Sequence, residues 1–85
     1  MKLKLDSAEE LVKFQAACAA LLEAVQKKDA LELEVKRADL LSKQNNYEAS
    51  FELAFILVGH EFLKQCKIVR EGCEVLKSFY VNEQT

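Results

Sequence analysis

Proline is absent from these 85 residues, and glycine occurs only twice. Tight turns, loops and flexible linkers lean on those two residue types, so the chain has few places to reverse and no linker composition. Tryptophan is missing as well, histidine occurs once, and there is no glycine-rich phosphate loop and no paired metal-ligand spacing. The longest stretch without charge is the nine residues from Phe14 to Leu22, preceded by Asp6, Glu9 and Glu10. Such a run is too short to cross a bilayer and has the wrong flanking charge for a secretory leader. An excess of one charge is lacking too. The net charge is −2, with eight basic and eight acidic groups in residues 1–44 and four and six in residues 45–85. That balance sets up no bulk field toward DNA, RNA or an anionic membrane.

What remains is rich in Ala, Leu, Glu and Lys, the strong helix formers, with 51% hydrophobic and 31% charged residues. A chain of this make-up carries enough apolar area to fold and is read as one all-α domain. At 9.7 kDa it lies near the size where a single core leaves little net stability and oligomerisation is a common remedy. Three cysteines, Cys18, Cys66 and Cys73, make an odd number without paired spacing. They suit a reducing compartment, and a cytoplasmic protein is expected.

Along the chain, Lys2 to Leu5 alternates charged and apolar residues as a short strand or extended lead-in does. Asp6 with Glu9 and Ser7 with Glu10 then form two overlapping capping boxes. A helix over about 7–27 follows, with Leu11, Phe14, Ala17, Cys18, Leu21, Leu22 and Val25 on one arc at 100° per residue. Near Asp29 that stripe loses phase, which predicts a kink or turn and a second helix over about 30–44. The rival reading takes Ala30 to Val35 as an alternating strand, making a small α+β fold with strands near 2–5 and 30–35. Asn45-Asn46 marks a chain reversal. Beyond it, Phe51, Phe55, Val58, Phe62, Cys66, Val69, Cys73, Leu76 and Tyr80 recur at helical steps, so a long amphipathic helix is expected over about 46–80. The architecture predicted is a helical hairpin or three-helix bundle that is oligomeric.

Candidate functional residues cluster in the last helix. Leu53 to Val58 are six apolar side chains in a row, which makes the helix apolar nearly all round there and requires cover on more than one side. Phe51, Phe55, Val58 and Phe62 are the main stripe. Ile56, Gly59 and Leu63 form a second seam, in which a glycine between branched aliphatics lets another backbone come close. These seven residues are the expected interface, for a second copy of the chain or for a different protein.

Lys64, Lys67 and Arg70 are the alternative site, an oligomeric binder of nucleic acid or of a small phosphorylated ligand, although Glu71 and Glu74 stand four residues beyond Lys67 and Arg70. His60 and Cys66 do not converge on one helix, and no metal or cofactor is expected. The function anticipated is a non-enzymatic adaptor, chaperone or inhibitor that self-associates and binds another macromolecule.

Overall fold

The computed structural model describes residues 2–81. Two long helices dominate, α1 over Ala8–Gln44 and α2 over Ala49–Lys77, and they lie side by side as an antiparallel hairpin. A two-residue strand at each end, β1 (Lys2–Leu3) and β2 (Tyr80–Val81), pairs antiparallel, with Lys2 opposite Val81 and Leu3 opposite Tyr80. The 37 residues of α1 rise about 56 Å, which accounts for the longest dimension of 58 Å.

Local chemistry sets each boundary. Ser7 caps α1, its hydroxyl accepting from the Glu10 amide at 3.2 Å. Of the two overlapping capping boxes, the Ser7 one provides the cap. At the other end the Tyr47 amide donates to the Ser42 carbonyl at 2.8 Å and the Asn46 amide to the Lys43 carbonyl at 3.3 Å. This is the Schellman arrangement, and it needs the residue after the cap in the left-handed region, where Asn46 sits with φ 54°. Asn45 completes the stop by donating its side-chain amide to the Leu41 carbonyl at 2.8 Å. Tyr47 is also left-handed, at φ 58°, a conformation that disfavours a side chain with a Cβ. Beside this turn the Asp39 carboxylate lies 3.0 Å from the Lys43 ammonium, and its hydrogen bond and charge raise the Lys43 pKa above the usual lysine value.

Three contacts fix the register of α1 against α2. The Phe14 and Phe79 rings meet edge-on at 5.4 Å, Leu21 lies over Gly72, and the Gln65 side-chain amide donates to the Ala24 carbonyl at 3.0 Å. In this register the seam residues on both helices advance by alternating steps of three and four. On α1 they are Phe14, Ala17, Leu21, Ala24, Lys28, Leu31, Val35, Ala38 and Ser42; on α2, Phe51, Phe55, Val58, Phe62, Gln65, Val69, Gly72, Leu76 and Phe79. Steps of this kind average 3.5 residues, the repeat of a coiled coil. Small residues stand opposite large ones: Ala17 faces the level of Leu76, Leu21 that of Gly72, Ala38 that of Phe55 and Ser42 that of Phe51.

The break expected near Asp29 is absent, and so is the three-helix bundle: α1 runs unbroken through residues 27–30. Tracking the stripe at 3.6 residues per turn accumulates a drift of about 20° per heptad, so a seam that is continuous at 3.5 reads as one that loses phase. Lys28, a charged residue on the seam itself, adds to the apparent break. Residues 30–35 are helical, not a strand; Leu31 and Val35 enter the seam while Leu33 is exposed. Of the two strands in the α+β alternative, only the N-terminal one forms. It is two residues long and pairs with Tyr80–Val81, residues read from sequence as the end of the last helix and the segment beyond it.

Candidate interaction surface

A hairpin of two helices has no third element to close its core, and the burial pattern records this. Ala24 is the only buried apolar residue among those described, at 8% exposure, and no large side chain is fully enclosed. The buried polar residues Ser42 and Gln65 lie on the same seam. The chain exposes 6596 Å², whereas a compact monomer of 9.7 kDa exposes about 5,100 Å². Setting aside about 600 Å² for Met1 and residues 82–85, which lie outside the described residues, still leaves a surplus of about 900 Å². The radius of gyration, 18.6 Å, exceeds the value of about 12 Å for a globular chain of this length.

The run Leu53 to Val58 divides as a helix requires. Phe55 and Val58 are half-buried on the seam, while Leu53, Ile56 and Leu57 are between 50% and 59% exposed and Ala54 is exposed beside them. Phe51 and Phe62 are likewise half-buried on the stripe that faces α1. The expected interface is therefore split: Phe51, Phe55, Val58 and Phe62 serve the hairpin's own seam, and Ile56 and Leu63 project outward. Leu63 is 66% exposed, and a Cβ built on the half-buried Gly59 between them meets nothing within 4 Å.

The two flanks of the seam differ. On one, Cys18, Val25, Glu32 and Asp39 of α1 and Gly59, Cys66 and Cys73 of α2 are all half-buried. On the other, Ala20, Lys27, Glu34 and Leu41 of α1 and Ala54, Glu61, Ile68 and Val75 of α2 are all exposed. The helices thus lean together along the cysteine flank and splay along the other. A mostly apolar groove of about 270 Å³ opens on the splayed side, with Ala17, Ala20, Ala24, Ile68, Gly72 and Val75 in its walls. Sequence reading missed it, because Gln65 and Gly72 are not residue types taken for core. The signal available was the alternation of three and four steps shared by both segments.

Lys64, Lys67 and Arg70 fan over an arc of about 120° on the exposed side of α2, because a step of three residues falls about 60° short of a full turn. Lys64 pairs with Glu61 at 3.4 Å, and Glu74 pairs with Lys77 at 3.2 Å. The expected pairs of Lys67 with Glu71 and Arg70 with Glu74 do not form among the described residues. His60 is exposed, the three cysteines are free, and no group of three potential metal ligands gathers among the described residues. No helix there is long and apolar enough to cross a membrane. Comparison with family models, curated proteins and solved structures gives no match to this chain.

Proposed function

We propose that this chain is a non-enzymatic helical protein that self-associates and, in that form, binds another macromolecule, as an adaptor, chaperone or inhibitor does. The observation that supports it is the surface surplus of roughly 900 to 1,500 Å² over a compact monomer, much of it aliphatic side chains on helix faces. A two-helix layer removes apolar area from water on one side of each helix only, and helix-to-helix burial by another chain is the physical way to remove the rest. Both helices are long and regular, so a partner meets preformed apolar faces and little ordering entropy opposes binding. Its three free cysteines support a reducing compartment such as the cytoplasm as its working place.

The test is the thermal midpoint followed by helical circular dichroism across about a hundredfold range of protein concentration. Self-association makes the midpoint rise with concentration, because association stabilises only the folded state. A midpoint independent of concentration, together with a monomer mass, refutes the reading. The basic residues Lys64, Lys67 and Arg70 offer weaker support for a nucleic-acid or phosphate role, since Lys64 is already paired with Glu61 and the chain as a whole carries a net charge of −2.

A further inference from the structure

We propose that the occupant of the splayed groove is a second copy of this chain, related by a two-fold axis that crosses the helices at the level of Val25 and Ile68, so that two hairpins make an antiparallel four-helix bundle. This rests on the self-association proposed above and names its face and symmetry. Three observations carry it.

The first is shape. Along the splayed side α1 presents Ala16, Ala20 and Ala30, all exposed, and α2 presents Ile68 and Val75, each about half exposed. Alanines let two α1 helices approach closely, and the larger Ile68 falls on the axis, where it meets its own copy. A two-fold axis demands such a patch, one that fits itself.

The second is charge. The charged residues of this face nearest the axis are Glu23 and Lys27 on α1 and Lys64 and Glu71 on α2, two of each sign, with Glu34 and Glu61 farther along the same side. Glu23, Lys27 and Glu71 make no ion pair within the chain among the described residues, and the Lys64 pair with Glu61 is well exposed and weak. The midpoint between positions 23 and 27 is position 25. That between 64 and 71 lies beside position 68, and the hairpin register that sets Leu21 on Gly72 puts positions 25 and 68 at one level. One axis therefore brings Glu23 to the partner's Lys27 and Lys64 to the partner's Glu71. Each pair occurs twice. A partner of different chemistry would more simply be met by a patch of one sign.

The third is area. An obligate homodimer buries upward of about 2,000 Å² in total, or about 1,000 Å² from each copy. The surplus of this chain over a compact monomer is of that size.

The test is sedimentation velocity with light scattering on the full chain and four variants, with circular dichroism to confirm helicity. Wild type is expected at twice the chain mass. Ala20→Glu and Ile68→Glu change residues exposed in the single hairpin, so they keep helix content while weakening the dimer by at least about a hundredfold. Glu23→Lys alone weakens it about tenfold, and adding Lys27→Glu restores it, because in the double variant both copies carry the exchanged charges. If Ala20→Glu and Ile68→Glu stay dimeric, or the charge exchange fails to rescue, this face and axis are wrong while self-association stands. A wild type that remains monomeric at high concentration removes both.

Discussion

The two glycines of α2 sit in the same helix at contrasting positions, and replacing each with alanine separates backbone propensity from packing. Gly59→Ala adds a Cβ where nothing lies within 4 Å, so only the helix propensity changes. That difference is about 1 kcal/mol in favour of alanine in a helix interior. For a domain of this size it raises the melting temperature by about 4–8 °C. Gly72→Ala brings the same propensity gain, but its Cβ would lie 3.0 Å from Leu21 Cδ1 and 3.7 Å from Leu21 Cβ. The end of the Leu21 side chain must give by a few tenths of an ångström, and overpacking of this kind costs roughly 1–3 kcal/mol. The gain is then cancelled or reversed. Thermal unfolding of the two variants at one fixed concentration, followed by circular dichroism, reads the comparison directly. Gly59→Ala should melt above wild type and Gly72→Ala at or below it. Equal increases at both sites would mean that Leu21 does not press on position 72 and would refute the close packing described there.

Gln65 is 9% exposed and donates to a carbonyl that the helix also uses, so Gln65→Leu orphans no acceptor and should change stability by less than about 1 kcal/mol in urea unfolding. Gln65→Ala opens space in the seam and should cost about 1–3 kcal/mol; a Leu variant as damaged as the Ala variant would show that the hydrogen bond dominates. Tyr47→Gly removes a side chain from the left-handed region and should raise stability by about 0.5–1 kcal/mol in the same assay, whereas a loss would mean the tyrosine ring contributes packing that outweighs its backbone cost. Lys43 gains its partner Asp39 on folding, and its pKa is raised, so that contribution is present below the ordinary lysine pKa of 10.5 and lost as pH climbs past the raised value. Because both side chains of the pair stay open to solvent over about half their surface, water and salt screen it, and an Asp39→Asn variant should track wild type in thermal stability at neutral pH.

Much of this fold is legible in the sequence, and the parts that are not have physical reasons. Ser7 and Glu10 announce the start of α1, and Asn45-Asn46 announce its end, because capping and left-handed turns depend on single side chains. The six apolar residues from Leu53 to Val58 run round more of α2 than one neighbouring helix covers, and Leu53, Ile56 and Leu57 are the members left exposed. Continuity through Asp29 does not show at a period of 3.6 residues. A seam of nine residues is straight only at 3.5, and its polar members Lys28 and Gln65 look like interruptions until each is seen at the level of the other. Gly72 reads as a flaw in a helix and is in fact the hollow that accepts Leu21. The clasp between Lys2–Leu3 and Tyr80–Val81 joins segments almost a full chain length apart, a pairing that no local pattern encodes. Nor does periodicity alone say which flank closes and which splays, and the groove depends on that.

The central question is whether one hairpin is left with apolar surface that a second chain must cover. Sedimentation equilibrium of the unmodified protein, run at several loading concentrations, measures this most directly. A mass that climbs toward twice 9.7 kDa as concentration rises is the predicted result. A single ideal species at the chain mass throughout, with full helicity, would contradict it.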